Sequence, residues 1–302
     1  MTTQTTPTDL TSSTLASTRR SDAGYHRRLG LNVRLRLGLV ILAVFVIGSF
    51  TLPLFTDVDP SVQGTYMKNL PPSREHPLGT NSQGQDIFWY LVFSVRNSLL
   101  LGISVAICVT IIATLVGLSA GYVGGWYERS VMLVTDSFIT IPVFPILIVL
   151  GALVRGRTNF GLVALLLIIF GWAWGARTVR SMALSIRERE FINMARFSGA
   201  NTLSIILREV FPYVYAFMVV GFINTILFAI NTEAALAVIG LSKVEVPTLG
   251  SMIFWALNYN AMFTGQYAWI LAPVVATVLL FLGLFLTSTG YNELYAARRG
   301  HS

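Results

Sequence analysis

Few side chains in this 302-residue sequence suit covalent or metal chemistry. There is one cysteine, Cys108, and the three histidines, His26, His76 and His301, stand far apart. One thiol excludes an internal disulfide framework and a Cys-rich metal site, and the histidines lack a ligand spacing such as H-E-x-x-H. The lysines, Lys68 after Met67 and Lys243 after Ser242, belong to no Gly-Lys-Ser/Thr string. A loop that cradles nucleotide phosphates needs that string, so this chain is not expected to hydrolyse nucleotide. What remains is charge and amide placed in apolar runs. Asp136 is one such charge, and Arg177 and Arg180, at the end of the next apolar run, are its expected ion-pair partners. A charge at mid-bilayer costs about 2.5–3.5 kcal/mol on insertion scales, so Asp136 should face protein or a polar cavity. Asn224 and Asn231 share one helical face and lead to Glu233. Such a stripe either lines a path for a polar substrate or bonds between helices.

The elements that carry these residues follow from composition. Hydrophobic residues make up 54% and charged residues 12%, with a net charge of +7. A soluble domain averages about 25% charged residues, so this chain has too few to cover a globular surface in water. Disorder over most of the length is excluded by the same hydrophobicity. Six stretches, at about 37–55, 98–122, 131–154, 160–176, 210–231 and 268–289, approach the roughly 20 apolar residues needed to cross a bilayer. They lack the alternation of barrel strands. The expected fold is all-α: a polytopic membrane bundle of six transmembrane helices. Arg19, Arg20, Arg27, Arg28, Arg34 and Arg36 precede the first span, and six more arginines lie between the fourth and fifth. By the positive-inside rule this predicts both termini in the cytoplasm, with Lys68, Arg74, Arg96, Arg155, Arg157 and Lys243 outside.

The chain then divides as follows. Residues 1–22, rich in Thr and Ser, form a disordered cytoplasmic tail, and 23–36 a basic juxtamembrane segment. The first span at 37–55 leads to an extracytoplasmic segment at 56–96. A core at 97–290 includes a cytoplasmic loop at 177–211, and 291–302 is the cytoplasmic C-terminal tail. Two of these soluble segments have internal pattern. In the outer one, proline and glycine punctuate turns, and Asp86 suits a helix start before Ile87-Phe88-Trp89. In the cytoplasmic one, Phe191, Met194, Ala195 and Ser198 share a helical face, Gly199 suits the helix end, and Asn201 can cap a second helix. Pro212 marks entry into the fifth span. Either this pair presents an exposed Phe and Met as a knob for a partner's groove, or it packs on its own bundle.

The sequence resembles the integral-membrane permease subunits of ATP-binding-cassette (ABC) importers of the dipeptide/oligopeptide/nickel type. That family's cytoplasmic signature, E-A-A-x-x-x-G before a proline, is present as Asn193-Met194-Ala195-Arg196-Phe197-Ser198-Gly199 with Pro212 beyond; Asn193 and Met194 depart from it. The outer signature H-P-L-G-T-D-x-x-G-R-D matches His76 to Asp86, with Asn81 for Asp and Gln85 for Arg. Ala120 to Trp126 with Asp136 and Pro142, and Glu233 to Leu241 with Pro247 and Gly250, resemble further segments in the same order.

The resemblance implies a plasma-membrane complex. A second permease subunit completes a heterodimer, two ATP-binding subunits supply ATP and Mg, and an extracytoplasmic solute-binding protein delivers substrate. This chain would bind no cofactor, metal or nucleic acid, and would touch the lipid bilayer and its partners. Glu190, Phe191, Met194, Ala195, Arg196, Gly199 and Ala200 would form the contact with an ATP-binding subunit, coupling hydrolysis to alternating access. Dipeptides or oligopeptides are the expected cargo, with nickel, glutathione or oligosaccharides as alternatives. A self-sufficient secondary transporter would need more intramembrane charge than Asp136 and Glu233 provide, and an intramembrane enzyme would need a constellation that no span contains.

Overall fold

Asp86 begins the longest helix. Its carboxylate accepts the backbone N–H of Trp89 at 3.0 Å, satisfying one of the unpaired donors at a helix start. In the computed structural model, which describes residues 32–153, 160–241 and 245–299, the chain is helical throughout apart from the outer segment and short connections. The helices are α1 (Val33–Thr51), α2 (Ile87–Val123), α3 (Gly125–Thr140), α4 (Val143–Leu153), α5 (Phe160–Arg187), α6 (Glu190–Phe197), α7 (Thr202–Val238), α8 (Leu249–Asn258) and α9 (Tyr267–Arg299). Only an isolated bridge, Thr80 to Asp86, has strand character among the described residues. The expected tail at 1–22, most of the basic segment at 23–36, Arg155, Arg157, Lys243 and residues 300–302 lie outside the described residues.

Five helices (α1, α2, α5, α7 and α9) are long and apolar enough to cross a membrane. The third span, expected as one helix over 131–154, is instead two helices, α3 and α4, bent by 74°. Pro142 is the cause. Proline disfavours the helical region for the residue before it, and Ile141 is extended, with φ −70° and ψ 123°. Helix α8, ten residues long, is too short to span and was not expected.

Helices α2 and α5 make the most extensive pairing in the molecule, with α2 also against α7 and α1 against α9. Small residues permit the α2–α5 crossing. A Cβ at Gly121 would lie 2.6 Å from the Arg180 carbonyl oxygen, and one at Gly117 2.6 Å from that of Ala176. At the corner after α2, Gly124 and Gly125 both have positive φ, +75° and +66°, which turns the chain sharply into α3.

Helices α1 and α2 run antiparallel, since Phe50 near the end of α1 lies under the Arg96 guanidinium near the start of α2. Helices α1 and α9 are also antiparallel, because Asn32 bonds to Gly290 and Glu293, and Arg34 pairs with Glu293. The start of α1 and the end of α9 therefore share one side of the molecule, along with the end of α2. The opposite side is closed by the outer segment. There, His76 Nδ1 lies 2.7 Å from Asp86 Oδ2, buried, and Asn81 Nδ2 donates to Gln85 Oε1 at 2.9 Å. Two neutral amides thus meet where the resembling signature carries Asp and Arg.

Candidate functional site

On the side of the start of α1 and the end of α9, α6 and the start of α7 form a compact projection. Its turn is a Schellman cap. Gly199 N–H donates to the Arg196 carbonyl at 3.0 Å and Ala200 N–H to that of Ala195 at 3.1 Å, with Gly199 at φ +83°. Asn201 then caps α7 by accepting the Ser204 N–H at 2.7 Å. Residues Ile206–Val210 form a π-helical turn before Phe211 and Pro212. Pro212 contributes no N–H, so the ordinary ladder is incomplete at that point.

The inner face of the projection is fixed to the bundle. Ile192 is fully buried in a cluster with Val179, Ala183, Ile205, Val210 and Val214. Phe191 stacks on Tyr213 with centroids 5.5 Å apart. The Arg196 guanidinium lies 5.4 Å over the Tyr122 ring, and Arg187 donates to the Tyr122 carbonyl at 3.0 Å. The projection is thus tied to the ends of both α2 and α5.

The outer face is apolar and open. Met194 is 69% exposed and Phe197 91%, with Leu203 and Leu207 exposed behind them. Glu190, Gly199 and Ala200 are also exposed. Phe191 and Ala195, expected on the knob with Met194, turn inward instead. The aromatic of the open face is Phe197, which the sequence reading did not single out. Its spacing of three from Met194 was the available signal.

The residues expected inside the membrane are arranged differently from expectation. Arg177 pairs with Asp136 at 3.1 Å, each about half exposed, but Arg180 turns to Glu128, with Nε 2.7 Å from Oε1. The three residues therefore do not form one cluster around Asp136. The stripe in α7 also divides. Asn224 and Asn231 are exposed, and Asn224 accepts from Ser288 at 3.3 Å, whereas Glu233 is 2% exposed. Nine residues at about 100° each rotate Glu233 half a turn from Asn224. Glu233 Oε1 accepts the Thr248 hydroxyl at 3.0 Å, and Thr248 is the N-cap of α8. Its position fits the anchoring of α8, away from the face of the two asparagines. A separate groove of about 220 Å³, where α2, α5 and α7 meet, is lined by Thr110, Thr114, Thr178 and Thr225 beside Trp174 and Phe217.

Fold and site together define a multi-pass helical membrane subunit that presents a rigid, partly apolar handle on the side of the start of α1 and the end of α9. The sequence over residues 113–301 matches the family described as binding-protein-dependent transport system inner membrane component. The oligopeptide transport system permease protein OppC of Mycobacterium tuberculosis (strain ATCC 25618 / H37Rv) is 34% identical over 226 residues, covering 74% of this chain and 76% of that protein. OppC of Lactococcus lactis subsp. lactis is 27% identical over 250 residues, covering 82% of this chain and 83% of the relative. An inward-facing structure of the MetNI methionine ABC transporter aligns with a TM-score of 0.54 at 20% identity, covering 70% of this chain and 97% of the other. This chain belongs to the family of binding-protein-dependent transport system inner membrane components, and is a multi-pass permease subunit of the ABC importer type in the plasma membrane.

Proposed function

We propose that this chain is half of the translocation pathway of a peptide importer, with its chain ends and α6 in the cytoplasm. The cargo follows from the relatives whose names specify oligopeptide transport. A second, different permease subunit forms the other half, and an extracytoplasmic solute-binding protein delivers the peptide. Two ATP-binding subunits carry ATP and Mg. This chain binds no cofactor of its own, in keeping with the lack of a Gly-Lys-Ser/Thr string.

The observation that carries this reading is the exposed Met194–Phe197 pair on a helix whose other face is buried in the bundle. An exposed aromatic and a thioether at helical spacing fit an apolar groove in a partner. Closure of the ATP-binding subunits would push on α6. Because Ile192, Arg196 and Arg187 fix the projection to α2, α5 and α7, the push would move those helices together, as alternating access by rigid-body motion requires. Asn224 and Asn231 remain candidates for the face along which peptide passes.

Phe197→Asp places a charge in that contact while the buried face of α6 is unchanged. In proteoliposomes holding the whole transporter, ATP-driven uptake of a labelled tripeptide should fall more than tenfold, as expected when a buried anchor is replaced by charge. Membrane insertion of the chain should be normal. Met194→Glu and Gly199→Asp should behave similarly. Uptake at the wild-type rate in Phe197→Asp would overturn the assignment of this surface.

A further inference from the structure

We propose that the groove between α3 and α5 is a binding site for the phosphate group of an anionic membrane phospholipid. The groove measures about 400 Å³ and is lined by Glu128, Arg129, Met132, Asp136, Arg177 and Arg180. Two of the three guanidiniums are matched within the groove, Arg180 with Glu128 and Arg177 with Asp136. Arg129 is exposed and has no ion pair among the described residues. The lining therefore keeps one net positive charge, which complements one phosphodiester. A guanidinium presents a planar fork of donors that suits phosphate oxygens.

The groove lies at the depth where such a phosphate is found. The charge-free stretch of α5 ends at Arg177, and Arg180 follows within a turn. The groove thus opens where the apolar portion of the bundle stops, the level of the headgroups. Beside it, the outward face of α3 carries Trp126, 82% exposed, and Leu133, 73% exposed. An indole belongs at the membrane interface, and a leucine beyond it suits the upper part of an acyl chain. A passing peptide would bring a carboxylate to the same arginines, but this apolar shelf is better matched by a lipid that stays. The inference does not depend on which solute is carried.

The test uses the complete transporter, stripped of lipid in detergent and titrated with phosphatidylglycerol or phosphatidylcholine under native mass spectrometry. Wild type should retain phosphatidylglycerol in preference. Arg129→Gln should weaken that retention about fivefold, the effect of one basic residue near a membrane surface. Arg129→Lys should restore most of it, and phosphatidylcholine should respond to neither change. Equal retention of phosphatidylglycerol by all three proteins would overturn the proposal. So would its displacement by millimolar inorganic phosphate, which would mark a free-phosphate site, or by trialanine, which would make the groove part of the solute path.

Discussion

Removing the Glu233 carboxylate would leave the buried Thr248 hydroxyl without the acceptor now 3.0 Å away. An unmet buried polar group costs about 1–3 kcal/mol, so Glu233→Leu should lower the melting temperature of the purified transporter, with Glu233→Gln much closer to wild type. If the two variants melted alike, Glu233 would not hold α8 through this bond. The position of Glu233 was hard to read from sequence for a simple reason. An acidic residue in an apolar run is conspicuous by type, but its direction depends on rotation about the helix and on a partner fifteen residues away. Phe191 and Phe197 pose the same problem on α6. Both are aromatic, and only the location of the bundle decides which becomes the buried stacking partner of Tyr213 and which faces out. By contrast, the helix starts at Asp86 and Asn201 and the turn at Gly199 were legible, because caps are local chemistry contained within a few residues.

At the scale of elements, two kinds of glycine can be separated. Gly121 permits contact, since an added methyl would meet the Arg180 backbone, and Gly121→Ala should destabilise by about 1–3 kcal/mol through overpacking. Gly48, inside α1 with nothing within 4 Å of an added Cβ, should gain up to about 1 kcal/mol on change to alanine. Thermal melts of the two variants in one detergent should therefore move in opposite directions. Equal shifts would mean that the α2–α5 crossing yields more readily than its geometry indicates. Helix α3 has a different character. It is bounded by the Gly124–Gly125 corner and by the break at Ile141–Pro142, and it is held to α5 through Glu128 and Asp136. The break was invisible to hydropathy, because a run of apolar residues reports what the segment touches and not whether it changes direction. Proline marked the position, but only the observed 74° bend shows that α3 and α4 do not continue one another.

At the scale of the whole molecule, the antiparallel pairs α1/α2 and α1/α9 make sidedness a single yes-or-no question. In a Cys108→Ser background, Val62→Cys and Phe263→Cys should react with an impermeant maleimide added to intact cells, since both positions are exposed. Phe197→Cys, 91% exposed on the other side, should react only after the membrane is opened. Labelling of Phe197→Cys in intact cells would reverse the proposed orientation and remove α6 from the reach of any ATP-binding subunit. The membrane character and five of the six expected spans followed directly from apolar composition, whereas the pairing of helices did not, because long-range contacts such as Asn32 with Gly290 leave no mark in local pattern.

The distribution of ionic contacts between the two ends has a practical meaning in the proposed orientation. Among the described residues, the exposed ion pairs Arg34–Glu293 and Arg177–Asp136 and the partly buried pair Arg180–Glu128 all belong to the end that carries the start of α1 and the end of α9. The other end is fastened by the neutral Asn81–Gln85 amides and by a His76–Asp86 pair enclosed from solvent. Screening by dissolved electrolyte weakens exposed pairs and leaves amide bonds almost untouched. In that orientation the clasp facing the external medium is made of bonds that a change in its salinity barely alters.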